Sequence, residues 1–217
     1  MQDLFDGGGA LEASSAVSST LAGEGTVIVK QAKSWTEVFT DLETVSRFSV
    51  STPDGRELWA AAEISQGFLG VIARWFLKSA RPFTMELRAR DGSVAMRIQR
   101  PWRFFFSHVD VFTGDGAPLG EVQERWGWFT RLYELKDPSG NVLASLVGPL
   151  FRPWTFLVKI DGKEVAQISK KWSGLGREMF TDADTYGLTF QGTTPGVRAL
   201  MLAATFLIDF RHFEHKD

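Results

Sequence analysis

The groups in this sequence that could do chemistry are few and scattered. It holds three histidines, His108, His212 and His215, and no cysteine. The missing thiols remove disulfides, Cys-zinc sites, thiol nucleophiles and S-palmitoyl anchors together. His212, Glu214 and His215 share one turn's length near the C terminus, but no second cluster completes a metal site there. No G-x-S-x-G, H-E-x-x-H or P-loop sequence occurs. Gly114 and Gly116 sit in a hairpin turn with no helix after them, so they are not a dinucleotide fingerprint. These gaps argue against a hydrolytic or redox enzyme. What remains is surface chemistry, meaning charge and apolar contact.

Two segments concentrate that chemistry. Residues 68–78 (FLGVIARWFLK) have helical spacing, with Phe68, Ile72, Trp75 and Phe76 on one stripe and Arg74 and Lys78 one turn apart on the other side. Such a helix suits the interfacial plane of an anionic membrane, and equally the end of a barrel that it would cap. From Arg74 to Arg103 eight basic residues face only Glu86 and Asp91. Among them Arg88, Arg90 and Arg97 alternate with apolar neighbours and form a basic stripe. That stripe is either a solvated exterior or a site for lipid phosphates. It is a local contrast, because the whole chain carries 24 basic and 26 acidic residues. A partner with an anionic phospholipid surface is therefore expected, nucleic acid is not, and no protein partner is specified.

The elements that must position these groups are strands. The 217 residues are 44% hydrophobic and 23% charged, with 18 Phe and eight Trp against two Tyr, which suits one globular domain with a thick core. Residues 1–25 carry no Lys or Arg and are rich in Gly and Ser, so they read as a flexible tail rather than a signal peptide. After them, Met85, Leu87 and Ala89 alternate with polar residues, Asp91-Gly92 turns the chain, and Val94, Met96 and Ile98 alternate back. Similar punctuation stands at Thr52-Pro53-Asp54-Gly55, Thr113-Gly114-Asp115-Gly116, Asp137-Pro138-Ser139-Gly140 and Asp161-Gly162. The turn glycines at 92, 116, 140 and 162 imply one hairpin per unit. Arg81-Pro82-Phe83, Arg100-Pro101-Trp102 and Arg152-Pro153-Trp154 mark strand ends.

About twelve strands fit between Val27 and Phe190, too many for an open antiparallel sheet, so a closed barrel is expected. A barrel this wide needs a filling. Residues 199–208 (ALMLAATFLI) are apolar on every side and as a helix rise only about 15 Å, half a bilayer core. We therefore expect a mainly β fold, a closed antiparallel barrel over residues 26–217 around a central helix at about 196–213. A single-pass anchor over 197–213 would have to carry Arg198, Asp209 and Arg211 into lipid.

Several of these residues resemble a known family. The run Ile168-Ser169-Lys170-Lys171-Trp172-Ser173-Gly174, followed by Arg177-Glu178-Met179-Phe180-Thr181-Asp182-Ala183-Asp184-Thr185-Tyr186-Gly187, is similar to the signature of phospholipid scramblases. The segment 204–210 with Phe213-Glu214 looks like that family's C-terminal helix, and Arg81-Pro82-Phe83 and Gly148-Pro149 match further elements. The resemblance covers about residues 26–214 and implies a tubby-like barrel around a hydrophobic helix. The lack of Cys-rich and Pro-rich segments suggests a compact, bacterial-type member. It further implies calcium-linked transbilayer movement of phospholipids, with a location in the cytoplasm or peripheral to the cytoplasmic membrane face. The alternative is a soluble tubby-like scaffold that binds a ligand or protein and moves no lipid. The family's calcium loop would place Asp182, Asp184, Tyr186, Leu188, Phe190 and Thr193 as ligands of a Ca2+ ion. The carboxylate expected at the twelfth position is replaced by Thr193, and the segment from Tyr186 to Phe190 also alternates as a strand would.

Overall fold

The computed structural model describes residues 15–31, 44–64, 82–102, 106–149, 151–152, 154–170 and 185–212, with backbone alone at 44–47 and 211–212. A short helix, α1 (Ala16–Ala22), precedes twelve strands: β1 (Thr26–Gln31), β2 (Thr44–Ser51), β3 (Glu57–Ile64), β4 (Phe83–Arg88), β5 (Val94–Arg100), β6 (His108–Thr113), β7 (Pro118–Arg125), β8 (Thr130–Lys136), β9 (Val142–Pro149), β10 (Thr155–Ile160), β11 (Lys163–Lys170) and β12 (Thr185–Phe190). A terminal helix, α2, runs over Pro195–His212. Each strand pairs antiparallel with its sequence neighbours, and β12 closes on β1 from Thr26↔Thr189 to Lys30↔Thr185. The expected closed barrel is therefore present, tubby-like in form, and every free edge is consumed.

The interior is filled as the apolar pattern of the last helix requires. Leu200, Met201, Leu202, Ala203, Ala204, Phe206, Leu207 and Ile208 of α2 are all fully buried, facing Val27, Val29, Met85, Leu87, Met96, Ile98 and Leu146 of the wall within one core. Phe206 meets Phe48 edge-on at 5.2 Å and Phe210 stacks on Phe83 at 4.4 Å. Close approach of helix to wall depends on Gly120, whose φ is 142°. A Cβ there would lie 2.1 Å from the carbonyl oxygen of Lys136 and 3.3 Å from Leu200 Cδ2.

Within the segment 1–25 expected as a tail, the described residues include a helix. Residues 16–22 form α1, with Ser15 accepting from the Ser18 amide at 3.1 Å and Val17 and Leu21 fully buried. The reason is tertiary. Arg198 near the start of α2 donates to the carbonyls of Leu21 at 2.7 Å, Ala22 at 3.2 Å and Glu24 at 2.9 Å, closing the C-terminal carbonyls that a seven-residue helix leaves open. Burial lowers the Arg198 pKa from its ordinary value. Its Nε also bonds Thr193 Oγ1 at 3.1 Å.

Strand direction sorts the connections into two kinds. The β2–β3, β4–β5, β6–β7, β8–β9 and β10–β11 turns share one end of the barrel, and all are short and polar. Asp161 (φ 50°) and Gly162 (φ 76°) both take the left-handed conformation that a two-residue hairpin turn demands. In the longer turns an aspartate locks the chain. Asp54 is held below the usual aspartate value first by the Thr52 hydroxyl, Asp91 by the Ser93 hydroxyl and Asp115 by the Thr113 hydroxyl. At Asp137 burial would raise the value, and hydrogen bonds from the Asn141 side chain and amide outweigh it. A carboxylate with a lowered folded pKa stabilises the fold above its unfolded value of 3.8 and loses that contribution as pH falls through the folded value. Thermal unfolding midpoints are therefore expected to drop on acidification below that value. The drop should be shallower when Asp54, Asp91 and Asp115 are all changed to Asn; an unchanged acid limb would remove these turns from the account.

Candidate functional site

The opposite end of the barrel has a different character. There the chain passes between strands through residues 101–107, 126–129 and 150–154, and the large exposed rings gather on these connections. Trp126, Trp128 and Phe129 are 67%, 79% and 78% exposed, Phe151 is fully exposed, and Trp102 and Phe106 are exposed to a lesser degree. Among the described residues the other large exposed apolar side chain is Val142, at the tight-turn end. The β7–β8 tip is held in shape: Trp126 and Trp128 meet edge-on at 6.0 Å, and a Cβ on Gly127 between them would lie 2.3 Å from the carbonyl oxygen of Thr130. The base of the 101–107 connection is closed by Arg100 Nη2 donating to Ser107 Oγ at 2.9 Å, and by the Ser107 amide donating to Glu124 at 2.9 Å. Rings held this way are presented to whatever lies beyond the barrel end.

Beneath the rings the inner wall turns from apolar to charged. Glu63, Arg100, Arg131 and Lys170 stand opposite the inward residues Met85, Phe83, Gly148 and Tyr186 in their ladders, so they face the barrel interior. Asp209 meets them from α2: it accepts from Tyr186 Oη at 2.6 Å and lies 3.6 Å from Lys170 Nζ. The Arg131 guanidinium lies over the Phe156 ring at 4.3 Å, and burial lowers its pKa against the opposing pull of Tyr133 and Tyr186. Arg152, beside Phe151, is exposed on the rim itself. One end of the molecule thus combines exposed rings, an exposed cation and a buried polar ring.

The expected lipid-facing residues are divided by this geometry. Phe68, Ile72, Arg74, Trp75, Phe76 and Lys78 lie outside the described residues, but Ile64 and Phe83, the strand ends that bracket them in sequence, are both at the aromatic end. Arg88, Arg90 and Arg97 belong to the other half of the wall. Glu86, almost fully buried, accepts from Arg88 at 2.7 and 3.1 Å and from Arg97 twice at 3.0 Å, while Arg90 is exposed at the β4–β5 turn. Two of the three cations are thus engaged by one carboxylate, that of Glu86, one of the two acids inside the basic segment.

The calcium-loop positions separate as well. Asp182 and Asp184 lie outside the described residues. From Thr185 the chain is strand, not loop: Leu188 is paired with Val27 on one side and Ile168 on the other. The Tyr186, Leu188 and Phe190 side chains are buried in the core, Tyr186 bonds Asp209, and Thr193 Oγ1 accepts from Arg198. These four positions do not fit a calcium loop, which needs six to eight converging oxygens.

The rim rings were missed in the sequence, although they left a signal. Where the other end turns through Asp, Ser, Thr and Gly, the β7–β8 hairpin turns through Trp126-Gly127-Trp128-Phe129. Among the described residues no helix is long and apolar enough to cross a membrane.

Known proteins resemble the chain along nearly its whole length. The family model described as Scramblase matches residues 9–215. Phospholipid scramblase 1 of Rattus norvegicus is 29% identical over 87% of this chain, and that of Homo sapiens 26% over 87%; the chain spans 59% and 63% of those relatives. Altered inheritance rate of mitochondria protein 25 of Saccharomyces cerevisiae is 27% identical, covering 91% of this chain and 73% of the relative. The X-ray structure of a protein from Arabidopsis thaliana shares the fold at 10% identity, with a TM-score of 0.51 over 85% of this chain and 91% of that one. With the barrel, its filling helix and a match spanning residues 9–215, the chain belongs to the Scramblase family.

Proposed function

We propose that this protein docks on phospholipid membranes with the aromatic end of its barrel and promotes transbilayer movement of phospholipids there. The observation that carries the docking is the segregation of the exposed rings Trp102, Phe106, Trp126, Trp128, Phe129 and Phe151 on one end, with Arg152 among them. Trp and Phe rings favour the membrane interface and a cation beside them favours lipid phosphate. Attachment is peripheral, and with no cysteine among the 217 residues it does not use S-acylation or prenylation. The names of the animal relatives, phospholipid scramblases, support the second half of the reading.

A second reading, membrane binding without transport, is favoured by the filled interior. With α2 buried on all sides the barrel offers no passage for a headgroup, so movement would have to occur in bilayer disturbed beside the rim. One pair of measurements separates the two. The full chain is tested for flotation with vesicles of neutral and of anionic phospholipid, then for translocation of a fluorescent lipid, with calcium or with chelator. We expect flotation, strongest with anionic vesicles, and translocation above the protein-free rate. Flotation without translocation selects the second reading, and no flotation with either vesicle defeats both. Equal rates in calcium and chelator would remove calcium from the activity.

A further inference from the structure

The outer wall carries a second cluster that membrane docking does not use. In the β6–β7 ladder His108 stands opposite Gln123 and Asp110 opposite Glu121. One nitrogen of His108 and one oxygen from each carboxylate lie within 4.8 Å of one another. His108 Nε2 is 2.9 Å from Asp110 Oδ1, and Nδ1 is 3.7 Å from Glu121 Oε2. The imidazole is 8% exposed, and its Nδ1 is closed off from solvent with no hydrogen-bond partner among the described residues.

That arrangement is incomplete as it stands. A neutral imidazole has one N–H. When that N–H is donated from Nε2 to Asp110, Nδ1 is left as an acceptor 3.7 Å from the Glu121 carboxylate oxygen, and the ring nitrogen itself is shut off from water. The 3.7 Å gap is too long for a hydrogen bond. It is close to the spacing of two donor atoms on one small cation, since metal–ligand bonds of about 2.1 Å at tetrahedral angles set donors about 3.4 Å apart. Asp110 on Nε2 then plays the part that a carboxylate commonly plays behind a metal-bound imidazole, fixing tautomer and ring angle.

We propose that His108 and Glu121, with Asp110 orienting the ring, bind a divalent first-row transition ion of the zinc type. The mixed nitrogen and oxygen donors favour such an ion over calcium. Lys136 sets the limit on affinity. Its Nζ lies 2.9 Å from Glu121 Oε1, 2.7 Å from Gln123 Oε1 and 3.8 Å from Glu134 Oε2, so a fixed cation already shares one ligand.

The test is calorimetric titration of the chelator-stripped full chain with Zn2+. One saturable site is expected, absent with Ca2+, lost in His108→Gln and in Glu121→Gln, and weakened about 10- to 100-fold in Asp110→Ala. Lys136→Met should tighten it, an effect opposite in sign to any general loss of folding. Unchanged binding in His212→Gln/His215→Gln keeps the C-terminal histidines out of the site. Should the His108 variant fail to fold, histidine-ring nitrogen–proton correlation spectra of the native chain decide: Zn2+ should move the His108 Nδ1 resonance and leave Nε2 protonated. No saturable Zn2+ binding, binding that survives both Gln variants, or Zn2+ shifts confined to His212 and His215 would each overturn the proposal.

Discussion

Changing Asp209 to Leu is expected to lower the unfolding free energy by about 3–5 kcal/mol, the usual penalty for removing one partner of a buried ion pair. The carboxylate is nearly buried where α2 meets the charged mouth, accepting from Tyr186 at 2.6 Å with Lys170 Nζ at 3.6 Å. Lys170 also lies over the Tyr186 ring, 5.3 Å from its centroid, so β11, β12 and α2 are tied through one cluster. Without Asp209 the Lys170 ammonium loses its neighbouring countercharge and the Tyr186 phenol its acceptor, both in largely buried positions. Tyr186→Phe should cost less, about 1 kcal/mol, because it removes one hydrogen bond and creates no unbalanced charge. The double change Lys170→Met/Asp209→Leu should recover most of the loss, since apolar replacement of a whole buried pair is often neutral. Denaturant titration of the four proteins gives the cycle directly. A loss below about 1 kcal/mol for Asp209→Leu would mean that the cluster does not hold the helix.

Asp209 has a counterpart at the far end of the same helix. Arg198 binds three carbonyls around the end of α1, and Asp209 is bound by β11 and β12, so α2 is held at both ends by polar contacts as well as along its apolar length. Those two residues are among the three charges, with Arg211, that argue in the sequence against a membrane anchor. In the fold the same charges tie the two ends of the helix to α1 and to the wall, while its apolar length fills the core. Any route to lipid movement that withdraws α2 has to break both clusters and expose the inward faces of twelve strands.

What was legible in the sequence follows from what is local. Alternation of Met85, Leu87, Met96 and Ile98 around Asp91-Gly92 specifies a hairpin without knowledge of anything else, and five such turns specify a meander. An all-round apolar run too short for a bilayer specifies its own burial. The misses are nonlocal. Residues 16–22 are too short to be helical by themselves and become so only against α2 and Arg198. Glu86 meets Arg97 across a ladder whose register no single strand reveals. The same holds for His108 and Glu121, which lie on different strands. The sorting of rings to one end was the exception. It needed only the observation that alternate turns of a meander share an end, applied to Trp126-Gly127-Trp128-Phe129.

That tip carries the largest expected effect on function. Replacing Trp126, Trp128 and Phe129 together with Ser should reduce vesicle partitioning by roughly three orders of magnitude. The figure takes about 1.5 kcal/mol for each ring, the low end for burying a large apolar side chain, and about 1.4 kcal/mol for each tenfold. The rings are more than two-thirds exposed, so unfolding free energy should stay within about 0.5 kcal/mol of the parent. Phe151→Ser, on the neighbouring connection, should weaken binding by a further tenfold or so on the same reasoning. Arg90→Glu supplies the control. Its side chain is exposed at the tight-turn end, and reversing its charge should leave partitioning unchanged if the barrel docks by the rim. Salt discriminates too: ring insertion persists at high ionic strength, where attraction between exposed charges is screened within a few ångströms. If the triple variant still binds while Arg90→Glu or added salt abolishes binding, the docking face is the opposite end, and the basic wall rather than the rings holds the membrane.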